Sequence, residues 1–288
     1  MRRVTCSKST VHYTFSSLTI LLFFTLPVFS GYNYQWRNFT RFKDQLASNE
    51  IRKIITGPTN QVWVGTDRGL LRFDGFWHNI VLTNPKTTER LSNVSIQDLS
   101  FSSNGGLMVA TNSGLLVGKW QSDVSEIFWH TLYDQEIGIQ SNYISSVLER
   151  NNGEIWVGTS AGVSWKKPED TNWHHARTEQ ITDIYEDFSG QIWLVHQPSD
   201  PIIQNQALLT LISESNENWK MFSNQNGLPQ GGVQSLTGEP DRLWVGTTKG
   251  LFVYENQTWQ KIFKWPEVVE ANIQSLHLDQ KKNLWIGT

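Results

Sequence analysis

Short runs of alternating apolar and polar residues recur along most of the chain, and turns rich in Gly, Asn, Asp and Pro separate them. Ile181–Tyr185, followed by the polar turn 187–190, is one such run, and a further short run of apolar and aromatic residues, Leu251–Tyr254, follows Gly250. Apolar residues are not maintained at i, i+3, i+4 and i+7 over three helical turns in any window. The pattern therefore predicts an all-β protein built from short strands.

One pentapeptide recurs in register. Four near-identical copies are Val62–Thr66, Ile155–Thr159, Leu243–Thr247 and Leu284–Thr288, and two degenerate copies are Leu107–Thr111 and Ile192–His196. The fourth positions fall at 65, 110, 158, 195, 246 and 287. Each copy is the second of four predicted strands, the third of which follows a Gly turn while the fourth begins with Trp. Four antiparallel strands in about 40–50 residues are typical of a β-propeller blade.

The sequence thus predicts a β-propeller of four-stranded antiparallel blades, with six repeats visible. Trp36–Thr40 matches the fourth strand of a blade and is predicted to complete the last blade, which would close the ring. Thr288 directly follows the second strand of the sixth unit. We therefore expect an incomplete ring, truncated at its C-terminus, from a longer protein whose full ring has seven blades.

The N-terminus has the pattern of an export signal. Three basic residues precede the apolar stretch Leu18–Phe29, and Val28 and Ser30 are suited to a cleavage point before Gly31. A 12-residue apolar stretch covers only about 18 Å of a bilayer core of roughly 30 Å, which favours a cleaved signal peptide over a membrane anchor. Residues 1–30 are the predicted signal peptide or anchor, and residues 31–288 the propeller.

Charge and cysteine content exclude several classes of function. The net charge is −3, and without residues 1–30 the 21 basic and 27 acidic side chains give −6. No cluster of Lys and Arg is present, so this segment is not expected to contact nucleic acid. Cys6, the sole cysteine, precedes the apolar stretch, which excludes an intramolecular disulfide, a cysteine metal site and lipidation after cleavage.

The repeat unit, as in Gln61–Gly75 and Arg242–Glu255, resembles the two-component regulator propeller repeat over residues 32–288. The loop Asn226–Pro229 is also similar to that family. The fourth copy departs from the pattern, with Val195 and His196 in place of Gly and Thr, and Met108 replaces Trp in the second.

The resemblance implies a periplasmic ligand-sensing domain of a membrane-bound bacterial signal-transduction protein, on the periplasmic side of the inner membrane. It implies a small-molecule or oligosaccharide ligand, a homodimer when full length, and a cytoplasmic histidine kinase or diguanylate cyclase downstream. A freestanding secreted binding or scaffold propeller is the alternative, and a glycan-active enzyme is a third possibility.

Candidate ligand-binding residues are Asp67, Arg68 and Lys249, in the turns that follow two of the pentapeptides. The acidic residues Asp183, Glu186 and Asp187 are interpreted as a solvated turn, because Asp is favoured in turns.

His78, His130 and His174 follow blade tryptophans on strands that diverge, so they are not expected to bind a metal together. The sequence contains no phosphate loop, nucleophile elbow, His-Glu-x-x-His or calcium-loop motif. The 288 residues are therefore predicted to be non-catalytic and to hold no cofactor.

Overall fold

A computed structural model describes residues 2–4, 46–57, 61–121, 126–176, 179–197, 208–212, 219–222, 227–228, 231–262, 270–278, 282 and 284–288. These residues form β-strands and one short 3-10 helix, η1 (Gln135–Ile137). The described strands assemble into five consecutive four-stranded antiparallel sheets and one sheet of three strands, which form the blades of a β-propeller. The predicted fold class is confirmed. In the part of the chain described, no helix has the length and apolar character needed to cross a membrane.

The four-stranded sheets follow one another along the chain, and within each of them every strand pairs with the next strand in sequence. Strand β1 (Arg2–Val4) precedes the blades. Blade 1 comprises β2 (Ile51–Thr56), β3 (Val62–Thr66), β4 (Gly69–Phe73) and β5 (Trp77–Ile80). Blade 2 comprises β6 (Ile96–Phe101), β7 (Gly106–Thr111), β8 (Gly114–Gln121) and β9 (Glu126–Tyr133). Blade 3 comprises β10 (Ile144–Glu149), β11 (Ile155–Thr159), β12 (Gly162–Lys166) and β13 (His174–Ala176).

Blade 4 comprises β14 (Gln180–Glu186), β15 (Ile192–Gln197), β16 (Leu208–Ile212) and β17 (Trp219–Phe222). Blade 5 comprises β18 (Val233–Glu239), β19 (Arg242–Thr247), β20 (Gly250–Glu255) and β21 (Thr258–Lys261). The last sheet contains β22 (Ser275–Leu278) and β23 (Leu284–Gly287), and the backbone of β1 pairs antiparallel with β23. The predicted closing strand Trp36–Thr40 and the apolar stretch Leu18–Phe29 lie outside the described residues.

Every pentapeptide copy is the second strand of its blade, as predicted. Its threonine caps the turn to the third strand: the Thr159 hydroxyl donates to Gly162 O (2.9 Å) and accepts from Ala161 N (3.0 Å). Blades 1, 2 and 5 make the same pair of bonds through Thr66, Thr111 and Thr247. The glycine that ends this turn has a positive φ, 121° at Gly162, which favours glycine over other residues.

The glycine of the pentapeptide permits a close approach between blades. A Cβ atom added at Gly158 would lie 2.7 Å from Cγ2 of Ile181, the first inward residue of blade 4. Gly65 and Gly246 face Ile96 and Ile273 at similar distances. The first strands of consecutive blades pack side by side and are therefore innermost in the propeller.

Tryptophans fill the spaces between blades farther from the axis, as expected for large aromatic side chains. Trp63 and Trp156 are fully buried. The Trp63 ring meets Trp120 of blade 2 edge to face at 5.5 Å, and Trp193 meets Tyr254 of blade 5 at 5.7 Å. Clusters of buried apolar side chains consequently span pairs of blades rather than lying within one sheet.

Candidate functional site

One face of the propeller carries both the turns after the second strands and the connections between blades. In blade 1 the turn residue Asp67 donates its N–H to Glu50 O, directly before β2. Equivalent backbone bonds join the turn to the residue before the first strand in blades 2, 3 and 5: Asn112 to Ser95, Ser160 to Tyr143, and Thr248 to Gly232. We call this face the rim. Loops that share a rim form a composite surface on a rigid scaffold, which suits ligand binding.

A groove of about 390 Å³ opens on the rim between blades 1 and 2. It lies between the turn that contains Arg68 and the connection from β5 to β6. Its lining is apolar at four positions and cationic at two, with two neutral polar residues and one glycine: Ile80, Leu82, Leu91, Val94, Arg68, Arg90, Ser92, Asn93 and Gly69.

The connection that forms one wall of the groove is internally braced. Thr83 and Arg90 form an antiparallel bridge, and Leu91 N donates to Leu82 O at 2.8 Å. Leu82 and Val94 are buried beneath it. Asn93 has a φ of 56°, the left-handed conformation that Asn tolerates better than most residues. These contacts hold Arg90 on an ordered hairpin opposite the turn of blade 1.

The two guanidinium groups of the groove differ in their surroundings. Arg68 lies 3.6 Å from the Asp67 carboxylate, and its side chain is largely exposed. Arg90 is exposed and, among the described residues, has no ion-pair partner. Guanidinium groups match planar carboxylates through paired N–H donors. The groove therefore suits a ligand that combines an anionic group with an apolar ring face.

The structure brings only two of the three predicted ligand residues together. Asp67 and Arg68 are adjacent in the turn between β3 and β4. Lys249 occupies the equivalent turn of blade 5, on the same rim, where its side chain lies against Gly231. It does not line the groove beside Arg68.

A second feature lies around the propeller axis and was missed in the sequence. In each sheet, one residue of the first blade strand pairs with the fourth residue of the pentapeptide. In blades 1 to 5 a register shift precedes it. We call these residues the inner ring: Lys53, Asp98, Ser146, Asp183, Ser235 and Ser275. Aligning the first strands on the pentapeptide would have placed a lysine, two aspartates and three serines in one column.

Four members of the inner ring are connected across blades 1 to 4. Lys53 Nζ lies 2.7 Å from Asp98 Oδ1. The Ser146 hydroxyl lies 3.2 Å from Asp98 Oδ2 and 3.4 Å from Asp183 Oδ1. Backbone donors complete the set, since Val147 N donates to Asp98 Oδ2 at 3.0 Å and Ile184 N donates to the Ser146 hydroxyl at 3.2 Å.

Two side chains of the inner ring have pKa values that differ from their ordinary values. Withdrawal from water raises the pKa of Asp183 to about 6, with Lys53 opposing the shift and Asp98 adding to it. The Asp98 carboxylate raises the pKa of Lys53, against the effect of burial. Lys53 therefore stays cationic, whereas Asp183 exchanges its proton within a physiological pH range.

The interpretation of Asp183, Glu186 and Asp187 as one solvated turn is wrong. Asp183 belongs to β14 and to the inner ring. Glu186 accepts from Arg150 Nε at 2.9 Å, which links blades 3 and 4. Only Asp187 lies in the turn, where it accepts from Ser189 N, Gln191 N and Trp193 Nε1. Strand alternation and the bulge separate residues that are close in sequence.

The three histidines that follow blade tryptophans lie on separate outer strands. His78 Nε2 and His174 Nε2 each bond an aspartate of the same blade at 2.9 Å, Asp74 and Asp170. His130 contacts Thr131. Over the described ranges, no three His, Cys, Asp or Glu side chains are grouped in a way that could hold a metal ion.

Comparisons with known proteins agree with the repeat and the fold. Residues 138–161 match the family described as two component regulator propeller. The comparison with curated proteins finds no match. A domain of B. thetaiotaomicron assigned as the extracellular part of the hybrid two component system BT3049 superposes with a TM-score of 0.70 at 17% identity, covering 83% of this chain and 32% of that one.

The corresponding domain of BT4673 from B. thetaiotaomicron gives 0.70 at 18% identity, covering 90% of this chain and 36% of that one. Virginiamycin B lyase from Staphylococcus aureus gives 0.58 at 16% identity, covering 82% and 77%. The chain thus spans about a third of the length of the two sensor-system domains. At these identities the superpositions show a shared propeller fold.

Proposed function

We propose, from the premise that this chain belongs to the two-component regulator propeller repeat family, that it is the ligand-sensing region of a bacterial signal-transduction protein. The proposed protein is exported, membrane-bound and dimeric, with the propeller on the periplasmic side and a histidine kinase or diguanylate cyclase as its output. Support comes from the family match at residues 138–161 and from the extracellular sensor-system domains that share the fold.

The groove between blades 1 and 2 is the observation that carries a binding role. Arg68 and Arg90 approach it from separate loops, and Leu82 and Leu91 contribute apolar atoms to its lining. A sugar ring that bears a carboxylate presents both features, because one face is apolar and the anion can pair with guanidinium groups. We propose an acidic oligosaccharide as the ligand, bound without chemical conversion.

Signalling by this groove requires a ligand that binds one arrangement of its walls more tightly than another. One wall is the turn of blade 1 and the other is the braced connection to blade 2. A carboxylate held by both arginines would favour the arrangement in which the two walls are close. The resulting shift in populations is what the downstream domain would detect.

The test uses the full-length protein in membrane vesicles, a glucuronate-containing oligosaccharide and its neutral glucose counterpart. We expect output to respond to the acidic sugar, and Arg68→Ala with Arg90→Ala to weaken the apparent affinity at least tenfold, since each charged hydrogen bond contributes about 1.5–3 kcal/mol. Lys119→Ala, which removes an exposed cation outside the groove, is the matched control. Equal responses to both sugars, or equal losses in variant and control, would refute the anionic site.

A further inference from the structure

The first strands of blades 2 and 3 each contribute a side chain that bonds the backbone of the next blade. Asp98 Oδ2 accepts from Val147 N of blade 3, and the Ser146 hydroxyl accepts from Ile184 N of blade 4. Both donors occupy the same position, one residue beyond the inner ring. These bonds join consecutive blades near the axis, where the first strands are closest.

Asp183 holds the next position in this series but reaches in the opposite direction. Its Oδ1 atom accepts from its own Ile184 N at 2.9 Å and lies 3.4 Å from the Ser146 hydroxyl of blade 3. The Ser146 hydroxyl consequently lies within hydrogen-bond distance of two carboxyl groups and one backbone N–H. A hydroxyl has a single proton to donate, so it satisfies only one carboxylate at a time.

We propose that Asp183 takes up a proton from solvent and thereby completes this hydrogen-bonded series, which makes the contact between blades 3 and 4 a pH-responsive joint. In the protonated form the Asp183 O–H donates to Ser146, and Ser146 donates to Asp98. The Ser146 oxygen then accepts from both Asp183 and Ile184 N, which uses its two lone pairs.

Loss of the proton leaves a mismatch at the joint. Two carboxylates, Asp98 and Asp183, then compete for the Ser146 proton and for the Lys53 ammonium group. Lys53 already lies 2.7 Å from Asp98. The unfavourable interaction falls on the contact between β10 and β14, so opening of this contact becomes easier as pH rises.

Of the described groups that face Asp183, none accounts for a change of charge between pH 5 and 7, so the pH response of the joint is assigned to Asp183. Lys53, Asp98 and Ser146 face it from blades 1, 2 and 3, and Ser235 holds the neutral equivalent position in blade 5. On the neighbouring strand β15, burial lowers the pKa of His196 to about 4, so that imidazole is neutral above pH 5. The pKa of Asp183, about 6, agrees with proton exchange between pH 5 and 7.

Thermal unfolding of the full chain and of Asp183→Asn at pH 4.5 and 7.5 tests the proposal. Because the folded-state pKa is raised, the stabilisation from Asp183 is present at low pH and is lost as pH rises through 6. Asn mimics the protonated acid at every pH. We expect the variant to gain about 5 °C more in melting temperature, relative to the wild type, at pH 7.5 than at pH 4.5.

Asp241→Asn, in the exposed turn between β18 and β19 and outside the inner ring, is the matched control, and its effect on the melting temperature is expected to be the same at both pH values. Carbon-13 NMR of the aspartate carboxyl groups measures the titration midpoint of Asp183 independently, in the wild type and in Lys53→Met. Removal of the cation that opposes the shift should move the Asp183 midpoint upward. A difference for Asp183→Asn that is the same at both pH values, or an Asp183 carboxyl that titrates near 4, would overturn the proposal.

Discussion

Blades 3 and 4 have the same strand order and pairing, but they pack against the next blade in different ways. Gly158 of blade 3 lies against Ile181, with no space for a side chain. Blade 4 has Val195 at this position, buried in one cluster with Val233 of blade 5. The first strands of blades 4 and 5 correspondingly pack less closely than those of blades 3 and 4. The ring therefore accepts a larger residue where the neighbouring blade stands farther away.

The turns of the two blades differ as well. Thr159 caps its turn with two hydrogen bonds, whereas blade 4 has His196 at the same position, 7% exposed. Blade 3 therefore relies on the close fit of Gly158 against Ile181 and on the uncharged cap of Thr159. Blade 4 instead contains two titratable side chains with shifted pKa values, Asp183 and His196. Three substitutions test whether these differences have the energetic meaning assigned to them.

The largest effect is expected for Gly158→Val, which places the residue of blade 4 into blade 3. Even its Cβ atom would lie 2.7 Å from Ile181 Cγ2, so the blades must separate. We expect a loss of about 3 kcal/mol in the free energy of unfolding, measured by urea denaturation. Adding Ile181→Ala should restore part of the loss. If the double variant is no more stable than Gly158→Val, steric exclusion is not the reason for the glycine.

A smaller, pH-dependent effect is expected for His196→Thr. Because burial lowers the folded-state pKa of His196 to about 4, the contribution of this side chain to stability decreases as pH falls below 6.5. At pH 5 this loss is about 2 kcal/mol relative to pH 8. Threonine removes the titration, so the variant should gain stability over the wild type at pH 5 but not at pH 8. Exposed His130→Thr is the control, and an equal pH response in both variants would contradict the assignment.

The smallest effect is expected for Thr159→Val, which keeps the shape of the side chain but removes the cap. Two hydrogen bonds are lost, and we expect a decrease of about 1–2 kcal/mol in the free energy of unfolding. Chemical denaturation at pH 8 measures it. Thr56→Val, at the exposed end of β2, serves as the control. A change of under 0.3 kcal/mol would mean that water replaces the cap fully.

Much of the fold follows from the sequence because the repeat is local. The pentapeptide marks the second strand, its threonine and the following glycine specify the turn, and tryptophan marks the fourth strand. The looser packing between blades 4 and 5 did not follow, because it is set by contacts between residues of different repeats, such as the cluster that contains Val195 and Val233.

The candidate site was less accessible from sequence. Arg68 was found because it lies in a repeated turn, but Arg90 lies in a connection that belongs to no repeat. The inner ring was missed because a bulge changes the side-chain alternation within the first strands, so a simple alternation of faces misplaces Asp183.

The braced connection between blades 1 and 2 has a consequence for engineering. Thr83 and Arg90 form a bridge, and Leu91 N donates to Leu82 O. The eight residues 83–90 therefore leave and rejoin the propeller at one place. A hairpin anchored in this way is a natural graft point. Its eight residues could be exchanged for another binding loop while Leu82 and Val94 keep their buried positions. The propeller would then serve as a scaffold whose binding specificity is changed by replacing one short loop.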